Sequence, residues 1–428
     1  VSKPAILPEP TQEQVAALGS VDIVVGIPSY NNAATIDGVV RMAQEGLHRH
    51  FASYRGLIVN SDGGSKDGTP QKVLEIPDSS HELLQLPYKV NPVQKLATPY
   101  HGIPGKGSAF RTIFYIAKTL GAKACAVFDA DLRSMTPDWV KQLLAPILEH
   151  EYDFTAPYYT RHKFDGTITN SIVYPLTRTL YGKRIRQPIG GEFGFSARLL
   201  DSYLAQQDVW TSEVARFGID IWVTTHAISR GFKICQAFLG AKIHDPKDPA
   251  SDLSDMLVQV IGALFREMDR NAAIWQKVRG SEKVPIFGEV TPVNAEPVTV
   301  DVQKMIDSYR LGFQNLQEIW ALFLPPATLL ELKKIARASA GAFTFPDEVW
   351  VKTVYDFALG YKLRVINRDH LLRALTPLYL GWVASFVLQM QDAAPDEVER
   401  RIEKLCLTYE TSKPYLISRW RWPDKFNP

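Results

Sequence analysis

Residues 21–28 read VDIVVGIP, and the turn-forming run Ser29-Tyr30-Asn31-Asn32 follows directly. An unbroken β-branched stretch that stops near a proline has the pattern of a strand buried on both faces. Behind the asparagines, which are N-cap candidates, Ile36, Val39, Val40 and Ala43 recur at helical spacing. The order is therefore strand, polar loop, helix. It repeats downstream. Residues 56–60 form a second apolar strand running into SDGGSKDGT at 61–69, and Pro70 can open a helix. Residues 105–108 (GKGS) introduce a segment with Phe110, Ile113, Phe114 and Ala117 on one side. Residues 124–128 form another buried strand, ending in Asp129-Ala130-Asp131. This alternation predicts an α/β layered fold with a mainly parallel sheet. In such sheets ligands collect beyond the carboxyl ends of the strands, where residues 28–32, 61–67 and 129–131 all fall.

From about residue 252 long helical patterns replace strands, with Leu257, Val260, Ile261, Leu264, Phe265 and Met268 on one face. The expected division is an N-terminal extension at 1–20, a sheet domain at 21–251 and a helical domain at 252–428 crossed by a Pro-containing loop at 284–298. The 428 residues are 22% charged and 46% apolar, with 48 Lys plus Arg against 46 Asp plus Glu. A net charge of +2 without basic or acidic runs argues against nucleic acid and against an electrostatic membrane anchor, leaving a small-molecule partner. Cys125, Cys235 and Cys406 are odd in number and sit mostly among apolar neighbours, which suggests buried thiols in a reducing compartment. No stretch is expected to approach the roughly 20 apolar residues of a membrane span, and the polar, Pro-containing N-terminus does not read as a signal peptide, so the expected location is the cytoplasm.

Asp129 and Asp131 follow a buried strand with one residue between them, a spacing that can turn two carboxylates toward one hard divalent cation. Such a cation neutralises a diphosphate leaving group. Taken alone, the triplet is a weak signal that reads first as a surface turn in which Asp131 caps the next segment. Gly105-Lys106-Gly107 ahead of a helix offers backbone N–H groups and a cation to an anion. It fits neither the P-loop spacing, since Tyr100 stands where a glycine is required, nor the dinucleotide fingerprint, since Phe110 takes the third glycine position.

Together, Pro28-Ser29-Tyr30-Asn31, then 62–69 (DGGSKDGT), then 105–107 (GKG), then Asp129-Ala130-Asp131 resemble a family 2-like glycosyltransferase of the GT-A fold. Residues 187–193 (QPIGGEF), 217–221 (FGIDI) and 240–244 (GAKIH) narrow the likeness to the retaining glucosyl-3-phosphoglycerate and mannosyl-3-phosphoglycerate synthases and their glucosylglycerate- and mannosylglycerate-forming cousins. The resemblance covers about residues 20–250. It implies that Pro28, Ser29, Tyr30 and Asn32, with Asp62 nearby, border the base and ribose of a nucleotide sugar, UDP-glucose or GDP-mannose. Asn32 stands where the family usually carries an acid. It further implies that Lys106, Asp129 and Ala130 meet the donor, that Asp129, Asp131 and His244 hold Mg²⁺ or Mn²⁺, and that Asp131, Asp220 and Lys106 are the catalytic set. Gly166, Thr167 and Thr169, with Glu192 and Asp220, would bind a small acidic acceptor. Thr167 replaces a family arginine, a bidentate phosphate ligand, which favours glycerate over 3-phosphoglycerate. The family also implies a homodimer. Two other readings compete: a polysaccharide synthase, for which Arg419-Trp420 lacks the preceding glutamine of the Q-x-x-R-W motif, and a non-catalytic nucleotide-sugar sensor or scaffold.

Overall fold

The computed structural model describes residues 6–77, 93–99, 105–211, 218–243, 254–291 and 300–423. Its first strands are β1 (Ile23–Ser29), β2 (Gly56–Asp62), β3 (Gln94–Pro99), β4 (Ala124–Val127) and β5 (Phe154–Thr160). They are followed by β6 (Lys183–Arg184), β7 (Phe193–Ser196), β8 (Ile234–Ala241), β9 (Glu282–Lys283) and β10 (Ile286–Phe287). The chain separates into two compact units, one of residues 1–160, 185–245 and 284–295, the other of residues 161–184, 246–283 and 296–428. This differs from a cut at 251. Segment 161–184 belongs with the helices, and 284–295 returns to the sheet, where β10 pairs in parallel with β8. The Pro-containing stretch therefore supplies an edge strand as well as a crossing.

The first unit holds an eight-stranded sheet in the order β10-β8-β5-β7-β4-β1-β2-β3. Every neighbouring pair is parallel except the two made by β7. Successive side chains of β1 go to opposite faces: Val24 joins one apolar cluster with Phe110, Ile113 and Phe114 of the helix Lys106–Thr119, while Ile23, Val25 and Ile27 join another with Val39, Val40, Val140 and Leu143. Both faces are dry, so the strand is apolar at nearly every position. Cys125 and Cys235 lie free and buried in this unit. The expected mainly parallel α/β architecture is what forms.

The second unit is mostly helical, with β6 and β9 as a short parallel pair. Trp320, Trp350, Trp382, Tyr309, Tyr355 and Tyr409 are buried in its core, and the rings of Trp350 and Trp382 stack at 6.0 Å. Arg178 is buried there too, its guanidinium paired with Glu403 at 2.5 Å and with Glu410 at 2.9 Å. The helix Arg368–Met390 corrects the expectation that no segment approaches membrane-spanning length: it has 23 residues and an 18-residue window of mean hydropathy 1.5. Inside the protein, 78% of that window is buried, as befits a core helix apolar all round.

Candidate active site

The parallel strands β1, β2, β4 and β8 all end on one edge of the sheet. Because β7 runs the other way, with Phe193 opposite Val127, it is the beginning of β7 that reaches this edge. Glu192 and the turn before it are thereby placed beside Asp129, a juxtaposition no linear motif states.

The loops after β1 and β2 are knitted by their own polar side chains. Asp62 Oδ1 accepts from Ser29 Oγ at 3.0 Å and Ser65 Oγ at 2.6 Å, while Oδ2 accepts from the N–H groups of Gly64 at 2.8 Å and Ser65 at 2.7 Å. Four bonds fill the usual acceptor capacity of a carboxylate. Asp62, expected beside the base or ribose, thus pins the loop. Asn32 is likewise occupied, its Oδ1 accepting from the Tyr30 N–H at 2.9 Å and its own N–H donating to Thr69 Oγ1 at 2.9 Å. Asn31 takes φ 55° and donates its N–H to Ser65 Oγ at 2.7 Å. Within this frame Tyr30 is 64% exposed, leaving a large aromatic face open on the first loop. Thr35 Oγ1 donates to the Ala130 carbonyl at 2.7 Å and ties the first loop to the Asp129–Asp131 turn.

The charged centre lies alongside. Lys106, in the first turn of its helix, places Nζ 2.7 Å from Asp129 Oδ1 and 3.1 Å from Asp220 Oδ2. Lys242, directly after β8, places Nζ 3.0 Å from Asp129 Oδ2 and 2.8 Å from Glu192 Oε1. Glu192 also accepts from the Tyr159 hydroxyl. Two ammonium groups thus face three carboxylates. Burial by itself raises a carboxyl pKa, but Lys106 and Lys242 outweigh it at Asp129 and hold that group far below the usual range. Burial pushes Glu192 up to about 7 against the pull of Lys242. It raises Asp220 as well, against Lys106. For Lys106 burial works to lower the pKa, and Asp129 and Asp220 overcome it and raise the group. Gly191 makes the cradle possible. With φ +97°, it has no Cβ, where one would stand 2.2 Å from Asp129 Oδ2.

Lys106, Asp129, Asp220 and Glu192 are therefore brought together, and Lys242, which the sequence reading passed over inside GAKIH, joins them. Glu192 departs from expectation: its side chain is 0% exposed, so it buttresses Lys242 and Tyr159 and is not open to an acceptor. Asp220 Oδ1 is buried without a hydrogen-bond partner. Gly166, Thr167 and Thr169 lie in the helical unit. Thr167 is buried, its hydroxyl 2.6 Å from Tyr379 Oη, so the side chain expected to bind the acceptor is already engaged. Gly166 (φ +65°) donates its N–H to Asp165 Oδ1 at 2.7 Å, and Thr169 opens the π-helix Thr169–Val173. Lys163 caps the carbonyls of Gln391 and Ala393, and Arg161 pairs with Asp165 at 3.1 Å.

For a hard cation, Asp131 fits as an oxygen donor, since its half-buried carboxylate makes no hydrogen bond or ion pair among the described residues. Asp129 fits less well, both oxygens being held by lysines. His244 lies outside the described residues. Its neighbour Ile243 accepts from the Arg133 N–H at 3.0 Å and donates to Ser134 Oγ at 2.9 Å, close in sequence to Asp131. Among the described residues no group of three His, Cys, Asp or Glu converges as a ready-made metal site.

Residues 89–266 match the family model of the glycosyltransferase domain of mannosylglycerate synthase. No curated protein matches the sequence significantly. Among solved structures, the chain is similar to glucosyl-3-phosphoglycerate synthase from Mycobacterium tuberculosis in its complex with Mn²⁺, UDP and glucosyl-3-phosphoglycerate, at 19% identity and TM-score 0.43, over 62% of this chain and 86% of that one. The same enzyme with Mn²⁺, UDP-glucose and glycerol 3-phosphate gives 19% and 0.43 over 62% and 86%. With Mg²⁺ and UDP it gives 19% and 0.42 over 62% and 85%.

Proposed function

We propose that the chain, whose residues 89–266 match the glycosyltransferase-domain model of mannosylglycerate synthase, is a glycosyltransferase that moves a hexose from a nucleotide sugar to a small glycerate-like acid, with retention. The donor in this reading is UDP-glucose or GDP-mannose and the product a glucosylglycerate- or mannosylglycerate-type compatible solute or its precursor. The observation that carries it is Lys106, an ammonium with two carboxylate partners and one N–H to spare, beside Asp220 Oδ1, a buried acceptor with no partner. The spare N–H suits a diphosphate or sugar oxygen, and the orphaned oxygen suits a hydroxyl of the sugar or acceptor. Tyr30 offers its exposed ring to the base.

Mg²⁺ or Mn²⁺ held by Asp131 and His244 would neutralise the leaving diphosphate. In the retaining step the bond from sugar C1 to the β-phosphate oxygen breaks, the acceptor oxygen bonds C1 on the same face, and its proton passes to the departing phosphate. Lys106 stabilises the charge that builds there, and no side chain has to serve as a classical base. The same reading makes the protein a cytoplasmic homodimer. Thr167 in place of an arginine favours the unphosphorylated acceptor. Kinetics with D-glycerate and 3-phosphoglycerate, each with both donors, test this; a large preference for the phosphorylated acid would remove the glycerate assignment, and no transfer to either would remove the acceptor class.

A further inference from the structure

Lys242 has no part in the steps above, yet it is the most enclosed cation of the site. Its side chain is 5% exposed, and four oxygens surround Nζ: Asp129 Oδ2 at 3.0 Å, Glu192 Oε1 and Oε2 at 2.8 and 3.0 Å, and the Gly190 carbonyl at 2.8 Å. Three N–H groups facing four acceptors leave no proton for a substrate. Lys106 is the opposite case, 22% exposed with two carboxylate partners. One carboxylate, Asp129, therefore stands between a partly exposed ammonium and one that is walled in. The walled-in group also joins segments far apart in sequence, the end of β4, the Gly190–Gly191 turn, the start of β7 and the end of β8.

We infer that Lys242 is a positioning residue for hexose transfer: it clamps Asp129 against the cradle left by Gly191, and Asp129 in turn aims the remaining N–H of Lys106 at the donor. Asp129 has two oxygens and two ammonium partners, so its orientation is set from both sides at once. Remove the buried partner and only Lys106 holds it, while Glu192 keeps Tyr159 alone as a hydrogen-bond donor. The carboxylate then leaves its place against Gly191 and takes Lys106 with it. Supporting groups of this type act through geometry, and their loss typically costs about 10- to 100-fold in activity. The kinetic consequence rests on the transferase reading above; the structural one does not.

Lys242→Met keeps side-chain length and removes the charge, and Lys242→Met/Glu192→Gln also removes the buried carboxylate that would strain the fold. The double variant is expected to melt near the wild-type temperature, to lose about 100-fold in kcat with donor KM changed by less than about threefold, and to show Asp129, still paired with Lys106, displaced from its place against Gly191 in its crystal structure. Recovery of kcat along with the melting temperature would reduce Lys242 to a fold-supporting residue and overturn the inference. So would a crystal structure in which Asp129 keeps its place against Gly191 and Lys106 keeps its 3.1 Å contact with Asp220. A wild-type protein inactive on every donor would count against the transferase reading alone, because the Asp129 position in the variant still decides the role of Lys242.

Discussion

Gly191→Ala puts the site under the most local stress the structure allows. The new Cβ would lie 2.2 Å from Asp129 Oδ2 and 2.9 Å from Asp129 Cγ, against ordinary contact at 3.4–4 Å. Asp129 must give way by about 1 Å, a misplacement that can cost about 100-fold in rate. It cannot do so freely, because its oxygens are held at 2.7 Å by Lys106 and 3.0 Å by Lys242. The substitution also forces alanine into φ +97°, a penalty of about 1–2 kcal/mol unrelated to the collision. Gly231→Ala is the control, since Gly231 has φ +74° with nothing within 4 Å of its Cβ. Both variants should lose similar stability from the backbone. Only Gly191→Ala should lose about 100-fold in kcat/KM, about 2.7 kcal/mol of transition-state stabilisation, when nucleoside diphosphate release is followed under subsaturating donor. Gly191→Ala within threefold of the control, with its fold intact, would show that the position of Asp129 does not matter for turnover.

Other outcomes follow from single groups. Asp131→Ala should abolish transfer while leaving the melting curve unchanged, because the carboxylate supports no described contact; undiminished turnover with added Mg²⁺ or Mn²⁺ would remove its metal role. Tyr30→Ala should raise donor KM by about 10-fold with little change in kcat, as loss of one base-stacking face predicts. Arg178→Met should lower stability by about 3 kcal/mol in urea unfolding, since it leaves Glu403 and Glu410 without their buried partner. Asp356 is pushed up to about 7 by burial, against the opposing pull of Arg419 and the hydrogen bond from Tyr415. The folded chain then holds this proton more tightly than the unfolded one, so its contribution is full below about pH 4 and is lost as pH rises through 7. Asp356→Asn should flatten the slope of stability against pH over that window.

Strands β1, β2 and β4 were legible because both faces of the sheet are dry, which makes their apolar runs continuous. β3 was not, as QKLATP at a sheet edge mixes polar and apolar residues, and the four-residue β7 is too short to show a period. Motif order singled out Lys106, Asp129 and Asp220, which the fold brings together. Lys242 was missed for a physical reason: a lysine after a strand looks the same in sequence whether solvated or buried, and only the reversed direction of β7 brings Glu192 to it. The same limit applies to segment 161–184, whose helical pattern does not disclose which unit it joins. Thr167 illustrates the converse, a residue in a binding-type motif whose hydroxyl the core has already claimed.

The most direct test is mass spectrometry of the acid fraction after incubating the protein with Mn²⁺, UDP-glucose or GDP-mannose, and D-glycerate, beside Lys106→Met. The account predicts an acceptor heavier by one anhydrohexose from the wild-type protein, formed mole for mole with UDP or GDP, and almost none from the variant. An unchanged acid pool with wild-type protein across glycerate and 3-phosphoglycerate, or equal product from Lys106→Met, would contradict it.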